Sequence, residues 1–400
     1  MITPSYQAFI VTLLIIVSST VAQGSGTETE QIQKDSEKIN FETNNLTQND
    51  DDSVYPQISS SSDNIYIVWQ ESVGSYGTTN YDIFFKKSND NGNSFGSSIN
   101  LSDNEGFSEH PQIATVENHI YVVWVDESSG EREIMFSKSS DSGKTFSDSI
   151  VVSQESMSPY NVELAAEGQN VYIVWNSFGI EMPNIILLSK SNDAGKTFGE
   201  LTEIGVGDLE TYPKIAASAD EYYITWDRKD SKGTEISLIK GHKDNNNLHN
   251  VTQLDKLNNE GIDGGESQVA ADANHVIVSW TSLEPIDKKY VYISSSMNNG
   301  NDFEDNIPLS STNSSNVENI LINDNSYIVW QDNIGGNQEI FYTKSNANGT
   351  SIDKSINVSN TIGISECPSI TVSTSGIHMI WEDDTTGNHE VLYKRLDRTA

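Results

Sequence analysis

Every tryptophan of this chain ends a short apolar phrase, and the phrases recur at intervals of 50 to 55 residues. Self-similarity at a fixed period of this size is typical of repeat arrays, and about 50 residues suffice for one four-stranded blade of a β-propeller. The seven phrases therefore predict seven equivalent blades. They end at Trp69, Trp124, Trp175, Trp226, Trp280, Trp330 and Trp381.

The second repeat shows how one blade would be built. Four β-rich runs separated by turn residues cover residues 111–115, 119–124, 133–138 and 147–152. The run that ends at Trp124 is apolar almost throughout, so both faces of that strand must be covered, which neighbouring blades would do. A proline thirteen residues before the tryptophan indicates the start of the first strand. It recurs as Pro56, Pro111, Pro213 and Pro368.

The two ends of the chain complement each other. The seventh repeat has only three predicted strands, whereas residues 41–47 resemble the fourth strand of a repeat but precede the first blade. We expect these residues to pair with the last blade and close the ring, which removes the exposed edges of an open array. The predicted fold is all-β: a seven-bladed β-propeller of four-stranded antiparallel blades over residues 41–400, closed by an N-terminal strand.

The first 40 residues differ from the repeats. Residues 8–17 are apolar and small residues precede Ala22, so residues 1–22 read as a secretory signal peptide, with an uncleaved anchor as the alternative. Residues 23–40 read as a flexible polar leader. Six N-x-S/T sequons fit an exported chain, and four of them, at Asn45, Asn100, Asn250 and Asn357, occupy one repeat position.

The charge balance excludes one class of partner. The formal net charge is −35 and the pI is near 4.3, so the field of the chain repels phosphate backbones and anionic headgroups. We expect neither nucleic-acid binding nor membrane insertion after signal cleavage. The single cysteine, Cys367, excludes an internal disulfide and is expected to be buried or half-buried.

An eight-residue turn, S-x-D-x-G-x-T-F, covers residues 139–146 and 191–198, and residues 88–95 differ from it only by a serine for the threonine. A carboxylate that accepts local N–H bonds, a glycine with positive φ and an anchoring aromatic suit a hairpin turn. A Ca²⁺ loop begins similarly but needs a distal bidentate Glu, so no metal is assigned and a structural Ca²⁺ stays open. The residues concerned are Asp90, Gly92, Asp141, Gly143, Asp193 and Gly195.

This turn, in register with a tryptophan strand, resembles the Asp-box (BNR) repeat of sialidase-like β-propellers over essentially all of residues 41–400. The resemblance implies that the turns are structural and lie away from the catalytic face. For an active sialidase it implies three arginines, a Tyr–Glu nucleophile pair and an Asp acid/base. The chain has four arginines. Only Arg132 and Arg228 precede third strands at the mouth, whereas Arg395 and Arg398 follow one, and lysine lacks the planar fork of arginine.

Candidate ligand-binding residues lie where the strands meet the expected mouth. Before the first strands stand Tyr55, Glu109, His110, Tyr160, Tyr212 and Glu266, and after the tryptophans stand Glu71, Asp126, Asp227, Asp332, Glu382 and Asp383. With Arg132 and Arg228 they would line a rim around the axial channel. Acids directly after a strand are also ordinary turn residues, and His110, with no second histidine aligned near it, is expected to face solvent.

We therefore expect a secreted, monomeric propeller, at the cell surface or outside it, that binds a glycan, a peptide or a cell-envelope protein without a cofactor. No catalytic set is assigned. The alternative is a divergent sialidase-like exo-glycosidase, for which paired carboxylates and a tyrosine beside a glutamate are suitable groups. Its candidates are Tyr55, Glu109, Tyr160, Tyr212 and Glu266. A third hypothesis is a calcium-stabilised structural protein.

Overall fold

The computed structural model describes residues 42–74, 80–154, 157–178, 184–206, 211–230, 233–244, 251–253, 263–284, 288–310, 313–334, 336–346 and 348–398. They form seven four-stranded antiparallel sheets, as predicted. The signal peptide and leader predicted for residues 1–40 lie outside the described residues. No described helix is long and apolar enough to cross a bilayer.

Strand β1 (Asn44–Asn45) precedes the first blade, and each blade then takes four successive strands until the last. Blade 1 contains β2 (Ser53–Ser61), β3 (Asn64–Val73), β4 (Asn80–Ser88) and β5 (Ile99–Asn100), and blade 2 contains β6 (Ser108–Val116), β7 (His119–Asp126), β8 (Glu133–Ser139) and β9 (Ile150–Val151). Blade 3 contains β10 (Ser158–Glu167), β11 (Asn170–Phe178), β12 (Ile185–Ser191) and β13 (Thr202–Val206), and blade 4 contains β14 (Lys214–Ser218), β15 (Glu221–Asp230), β16 (Gly233–His242) and β17 (Val251–Gln253).

The remaining blades follow the same order. Blade 5 contains β18 (Asp263–Asp272), β19 (His275–Glu284), β20 (Lys288–Ser296) and β21 (Ile307–Pro308). Blade 6 contains β22 (Ser314–Ile322), β23 (Asn325–Ile334), β24 (Asn337–Asn346) and β25 (Ile356–Asn357). Blade 7 contains β26 (Ser365–Val372), β27 (Gly376–Asp383) and β28 (Glu390–Asp397), and β1 pairs with β28.

The core lies in the seams between successive blades. All seven tryptophans are at most 5 % exposed, which confirms that the apolar phrases are covered on both faces. One seam joins Tyr66 and Phe85 of blade 1 to Val122 and Trp124 of blade 2. Because each blade covers its neighbour, the hydrophobic stabilisation of the ring depends on every blade being in place.

The ring closes as predicted. In β1, Asn44 and Asn45 pair with Tyr393 and Leu392 of β28, so the N-terminal strand supplies the fourth strand of blade 7. The next residue, Leu46, donates its N–H to the Val391 carbonyl at 2.9 Å, and its side chain is buried in the blade 7–blade 1 core.

The expected strand boundaries need two corrections. In blades 1, 2 and 7 the first strand begins three residues before the proline, which stands at a β-bulge; only in blade 4 does the strand begin directly after Pro213. Proline lacks the N–H that a regular ladder requires, and a bulge tolerates it. The fourth strand of blade 2, predicted over 147–152, is reduced to Ile150–Val151.

Candidate functional site: the axial cavity

In six blades the innermost strand contains a β-bulge at its start, shown by a shift in the pairing register. One non-glycine residue of each bulge has φ between 47° and 53°, in the left-handed region that side chains disfavour. Bulges redirect side chains, and strain of this kind concentrates at functional sites. The six residues are Tyr55, His110, Asn161, Glu266, Asn316 and Cys367.

These six residues line a cavity of about 410 Å³ at the centre of the ring, to which all seven blades contribute. Tyr212, just ahead of β14, lines it as well. Two residues beyond each of these positions except Cys367, a second tier lines the cavity, here called the axial ring. It consists of Gln57, Gln112, Glu163, Lys214, Gln268 and Glu318.

The axial ring contains a charged cluster. Glu163 of blade 3 forms an ion pair with Lys214 of blade 4. Burial raises the pKa of Glu163 even though Lys214 opposes the shift. Burial also raises the pKa of Glu318 to about 7, a shift that Lys214 opposes, Glu163 reinforces, and hydrogen bonds with Ser369 and Gln57 moderate. At neutral pH the cavity therefore contains one carboxyl group that is close to half-protonated.

The rim of the cavity is aromatic. The side chains of Tyr55 and Tyr212 are 42 % and 44 % exposed, and the Tyr55 ring lies 4.7 Å from the His110 ring. His110 does not stand free in solvent as expected but is half-buried in the cavity wall. Burial lowers its pKa to about 4, with Arg132 and Lys214 contributing, so the imidazole is neutral at pH 7. Burial, followed by nearby acidic groups, raises the pKa of Tyr55.

Glu382 lies beneath the rim, at the blade 7–blade 1 seam, and is buried. Its carboxylate accepts the Tyr55 backbone N–H at 3.1 Å and a hydrogen bond from the Cys367 thiol. Burial raises the pKa of both Glu382 and Cys367, and Cys367 is half-buried, within the range expected. Glu382 therefore holds the strained Tyr55 backbone in place from below.

Glu266 and its neighbours link blades 5 and 6. One carboxylate oxygen of Glu266 lies 3.2 Å from Lys289 Nζ, and the other accepts the N–H of Asn316 at 3.1 Å. The strained bulge of blade 6 is thus fixed by the side chain of blade 5. Of the residues suggested by the sequence, the structure brings Tyr55, His110, Tyr212 and Glu266 together at the cavity.

Glu109, Tyr160 and Arg132 lie outside the residues that line the cavity. The Arg132 guanidinium binds Glu109 at 3.4 Å and Glu127 at 2.7 Å, and it stacks over the Tyr160 ring with 4.3 Å to the centroid. Its Nε also donates to the Pro159 carbonyl at 3.3 Å. This arginine therefore joins blade 2 to blade 3, in contrast to its expected position on the rim.

The acids after the tryptophans do not form the expected tier around the channel. In blade 2, the buried Asp126 carboxylate accepts the Trp124 indole N–H at 3.1 Å and the Ser108 hydroxyl at 2.9 Å. The same arrangement recurs at Glu71 and Asp332, and Asp383 accepts the Ser365 hydroxyl. Asp227 accepts the Tyr212 N–H at 3.4 Å, while the Arg228 side chain lies outside the described residues.

The S-x-D-x-G-x-T-F turns lie at the opposite end of the blades, because strands are antiparallel and the turn follows the third. Asp141 accepts the N–H groups of Lys144 and Thr145 at 3.0 Å and the Thr145 hydroxyl at 2.8 Å, which lowers the pKa of Asp141. A Cβ on Gly143, at φ 71°, would stand 2.7 Å from the Phe85 ring. Asp90 with Gly92 and Asp193 with Gly195 repeat this geometry.

Both carboxylate oxygens of the aspartates in these turns accept hydrogen bonds from their own turn, which leaves little capacity to bind a metal ion. Within the described residues, no group of three or more His, Cys, Asp or Glu side chains has an arrangement that could hold one.

Sequence reasoning did not identify Glu163, Lys214 and Glu318 as site residues. Their only signal is the repeat position itself, directly after the proline or its equivalent, where three repeats have glutamine. The charges become a cluster only when blades 3, 4 and 6 are brought around one axis.

Comparisons with known proteins agree with this architecture. No family model matches the chain. No curated protein matches it either. Among solved structures, a protein of unknown function from Dyadobacter fermentans is similar with a TM-score of 0.57 and 12 % identity, over 90 % of this chain and 99 % of that one.

Two further similar structures are those of enzymes. The endosialidase of phage phi92 has a TM-score of 0.53 and 11 % identity, over 90 % of this chain and 69 % of that one. An α-L-arabinofuranosidase from Fusarium graminearum has a TM-score of 0.52 and 13 % identity, over 73 % and 93 %. At such identities the likeness shows the fold alone, which is a β-propeller.

Proposed function

We propose that this propeller is an exported glycan-binding module and that the axial cavity is its binding site. The observation that carries the proposal is the lining of the cavity: exposed phenol rings at the rim, and amide and carboxyl groups behind them. Its volume of about 410 Å³ falls within the range of roughly 300–1,000 Å³ that is usual for small-ligand sites.

The chemistry of the lining suits a saccharide. The apolar face of a sugar ring packs on an exposed aromatic ring such as that of Tyr55 or Tyr212. Hydroxyl groups both donate and accept, and so do the side-chain amides of Gln57, Gln112 and Gln268. The similar propellers include an endosialidase and an α-L-arabinofuranosidase, which supports a glycan ligand without deciding between binding and hydrolysis.

The proposal includes an extracellular location and structural turns. The apolar segment at residues 8–17 and the sequons support export. We assign the S-x-D-x-G-x-T-F turns as Asp boxes with a structural role, because each aspartate saturates its own turn with hydrogen bonds. On this basis neither a cofactor nor a structural Ca²⁺ is needed, and an unchanged melting temperature in EDTA would agree.

Binding can be tested with a glycan array probed with the full chain, followed by titration of the best ligand. We expect wild type to bind, and Tyr55→Ala and Tyr212→Ala each to weaken binding about tenfold or more, since stacking contacts of this kind contribute on the order of 1 kcal/mol beyond the area they bury. Tyr81→Ala, a half-buried tyrosine that does not line the cavity, is the matched control. Absence of any glycan ligand would refute the proposal.

Hydrolysis is the second candidate, and one observation favours it. Glu163 and Glu318 share the cavity: burial raises the pKa of Glu318 to about 7, which suits a general acid, while the ion pair with Lys214 favours the ionised form of Glu163, which suits a base. Turnover of fluorogenic glycosides that disappears in both Glu163→Gln and Glu318→Gln would establish a glycoside hydrolase. Binding without turnover would leave the binding module as the function.

A further inference from the structure

The charges that line the axial cavity are unevenly matched. Among the described residues that line it, three carboxyl groups, those of Glu163, Glu266 and Glu318, are opposed by one ammonium group, that of Lys214. Lys214 forms an ion pair with Glu163, and Glu266 pairs with Lys289. The hydrogen-bonding partners of Glu318 are the neutral side chains of Ser369 and Gln57, and Lys214 is nearby, but among the residues that the structure describes no cation forms an ion pair with its carboxylate.

The rim and the net charge favour the same kind of ligand. The exposed rings of Tyr55 and Tyr212 present electron-rich faces, which attract organic cations. The chain as a whole has a formal charge of −35, so its field raises the local concentration of cations. A sugar carboxylate would be repelled both by this field and by the carboxyl groups of the cavity.

We infer that the saccharide bound in the axial cavity carries a free primary amino group, which Glu318 holds as an ammonium ion at the floor of the cavity. This inference rests on the proposed glycan-binding function. An ammonium group has three N–H donors, and Glu318 together with the amide oxygens of Gln57 and Gln268 provides acceptors from three blades. An N-acetylated sugar has no charge to offer Glu318.

Binding of such a ligand depends on pH through Glu318. Burial places its pKa at about 7 in the free protein, so the carboxylate is largely protonated at pH 5.5 and largely ionised at pH 8. Because the ammonium ion binds the ionised form, the affinity for a ligand whose amine stays protonated falls as the pH is lowered below 7, and deprotonation of the ligand amine lowers the affinity again at higher pH. Other groups facing the site are Glu163, Lys214, Glu266 and His110, and burial lowers the pKa of His110 to about 4, so that it stays neutral over this interval.

The test compares two ligands that differ only in acetylation. Calorimetric titration of the full chain with a β-1,4-linked glucosamine tetramer, and with its fully N-acetylated counterpart, is expected to show at least tenfold tighter binding of the free amine at pH 7. Glu318→Gln is expected to remove this preference, about tenfold for one charge-assisted hydrogen bond. Glu304→Gln, an exposed residue outside the cavity, makes the same change in net charge and should keep the preference.

Each result has a definite meaning. Equal affinity for the two tetramers, or tighter binding of the acetylated one, overturns the inference and leaves the glycan-binding function standing. A preference lost equally in Glu304→Gln and Glu318→Gln reflects the overall field and also overturns it. If neither tetramer nor any glycan of the array binds, the proposed function itself fails. Glu318→Gln removes a desolvated charge and is expected to fold, which its melting curve verifies.

Discussion

Lys138 of blade 2 donates from Nζ to the backbone carbonyl of Ala194 in blade 3, at 2.8 Å. Ala194 stands between the aspartate and the glycine of an S-x-D-x-G-x-T-F turn and has φ 58°. The same bond joins Lys87 to Ser142, Lys240 to Asn299 and Arg395 to Asn91. The cation immediately before the turn of one blade therefore anchors the turn of the next, which engages several of the few basic residues of the chain.

Replacing Lys138 by methionine is expected to lower the free energy of unfolding by about 1 kcal/mol. Methionine keeps the stem that packs along the seam but cannot donate to the Ala194 carbonyl. Chemical denaturation measures the change, and Lys196→Met, which alters an exposed lysine of the same turn, is the control. Equal effects of the two substitutions would contradict the role of the interblade bond.

A second prediction concerns the sequon at Asn100. The Ser102 hydroxyl donates to the buried Asp82 at 3.2 Å and accepts the Ile83 N–H at 3.0 Å, and Asn100 Nδ2 donates to Asp82 at 2.7 Å. Ser102→Ala is expected to lower the free energy of unfolding by about 1–2 kcal/mol, because the Asp82 carboxylate and the Ile83 N–H each lose one hydrogen-bond partner.

Ser102→Thr keeps the hydroxyl group and should be close to wild type in the same denaturation experiment. In the sequons at Asn45 and Asn357 the hydroxyl groups of Thr47 and Ser359 likewise donate to Glu390 and Glu339 and accept a backbone N–H. The repeat position of these sequons therefore has a structural explanation that does not depend on glycosylation. An alanine variant as stable as the threonine variant would remove that explanation.

The blade number and ring closure could be predicted because they follow from burial. A strand covered on both faces must be apolar throughout, so Trp124 and its equivalents mark every blade in the sequence. The bulges could not be predicted, since a positive φ at Tyr55 or His110 is imposed by the ring and not by residue type. The acids after the tryptophans resembled surface turn residues, yet Asp126 lies buried with an indole N–H as its partner.

His378 provides a prediction for pH. It is fully buried, and its two ring nitrogens lie 2.8 Å from the Tyr393 hydroxyl and 2.9 Å from the Ser373 hydroxyl. Burial, with a contribution from Arg395, lowers its pKa from 6.5 to about 3. The unfolded chain therefore binds a proton between pH 6.5 and pH 3 that the folded chain does not, so stability is complete above pH 6.5 and falls as the pH decreases through this interval.

The measurement is the free energy of unfolding at several pH values between 4 and 6.5. Wild type is expected to lose up to about 1.4 kcal/mol per pH unit through His378 alone. His378→Gln, which does not titrate, should lose less over the same interval, while carboxylates such as Asp141, whose pKa is lowered, contribute equally to both proteins. Identical slopes for the two proteins would show that His378 does not control the acid sensitivity.

Ring closure gives the last prediction. A chain that begins at Asp50 lacks β1, the buried Leu46 and the Thr47 hydroxyl that bonds with Glu390. Loss of a buried leucine typically costs about 2–5 kcal/mol. Because the open edge of blade 7 also leaves the blade 7–blade 1 seam incomplete, the whole ring, and not only one blade, is expected to melt at a lower temperature in a single transition.

A chain that begins at Phe41 retains β1 and is the matched control, since it removes only the residues before it. A synthetic peptide of residues 41–49 should then raise the melting temperature of the shorter chain in proportion to the logarithm of its concentration, because it binds the folded ring and not the unfolded chain. If the chains beginning at Phe41 and at Asp50 melt together, β1 does not close the ring. If the peptide has no effect while the two chains differ, the missing residues act through the unfolded state, and the interactions of Leu46 with blade 7 do not account for the stability.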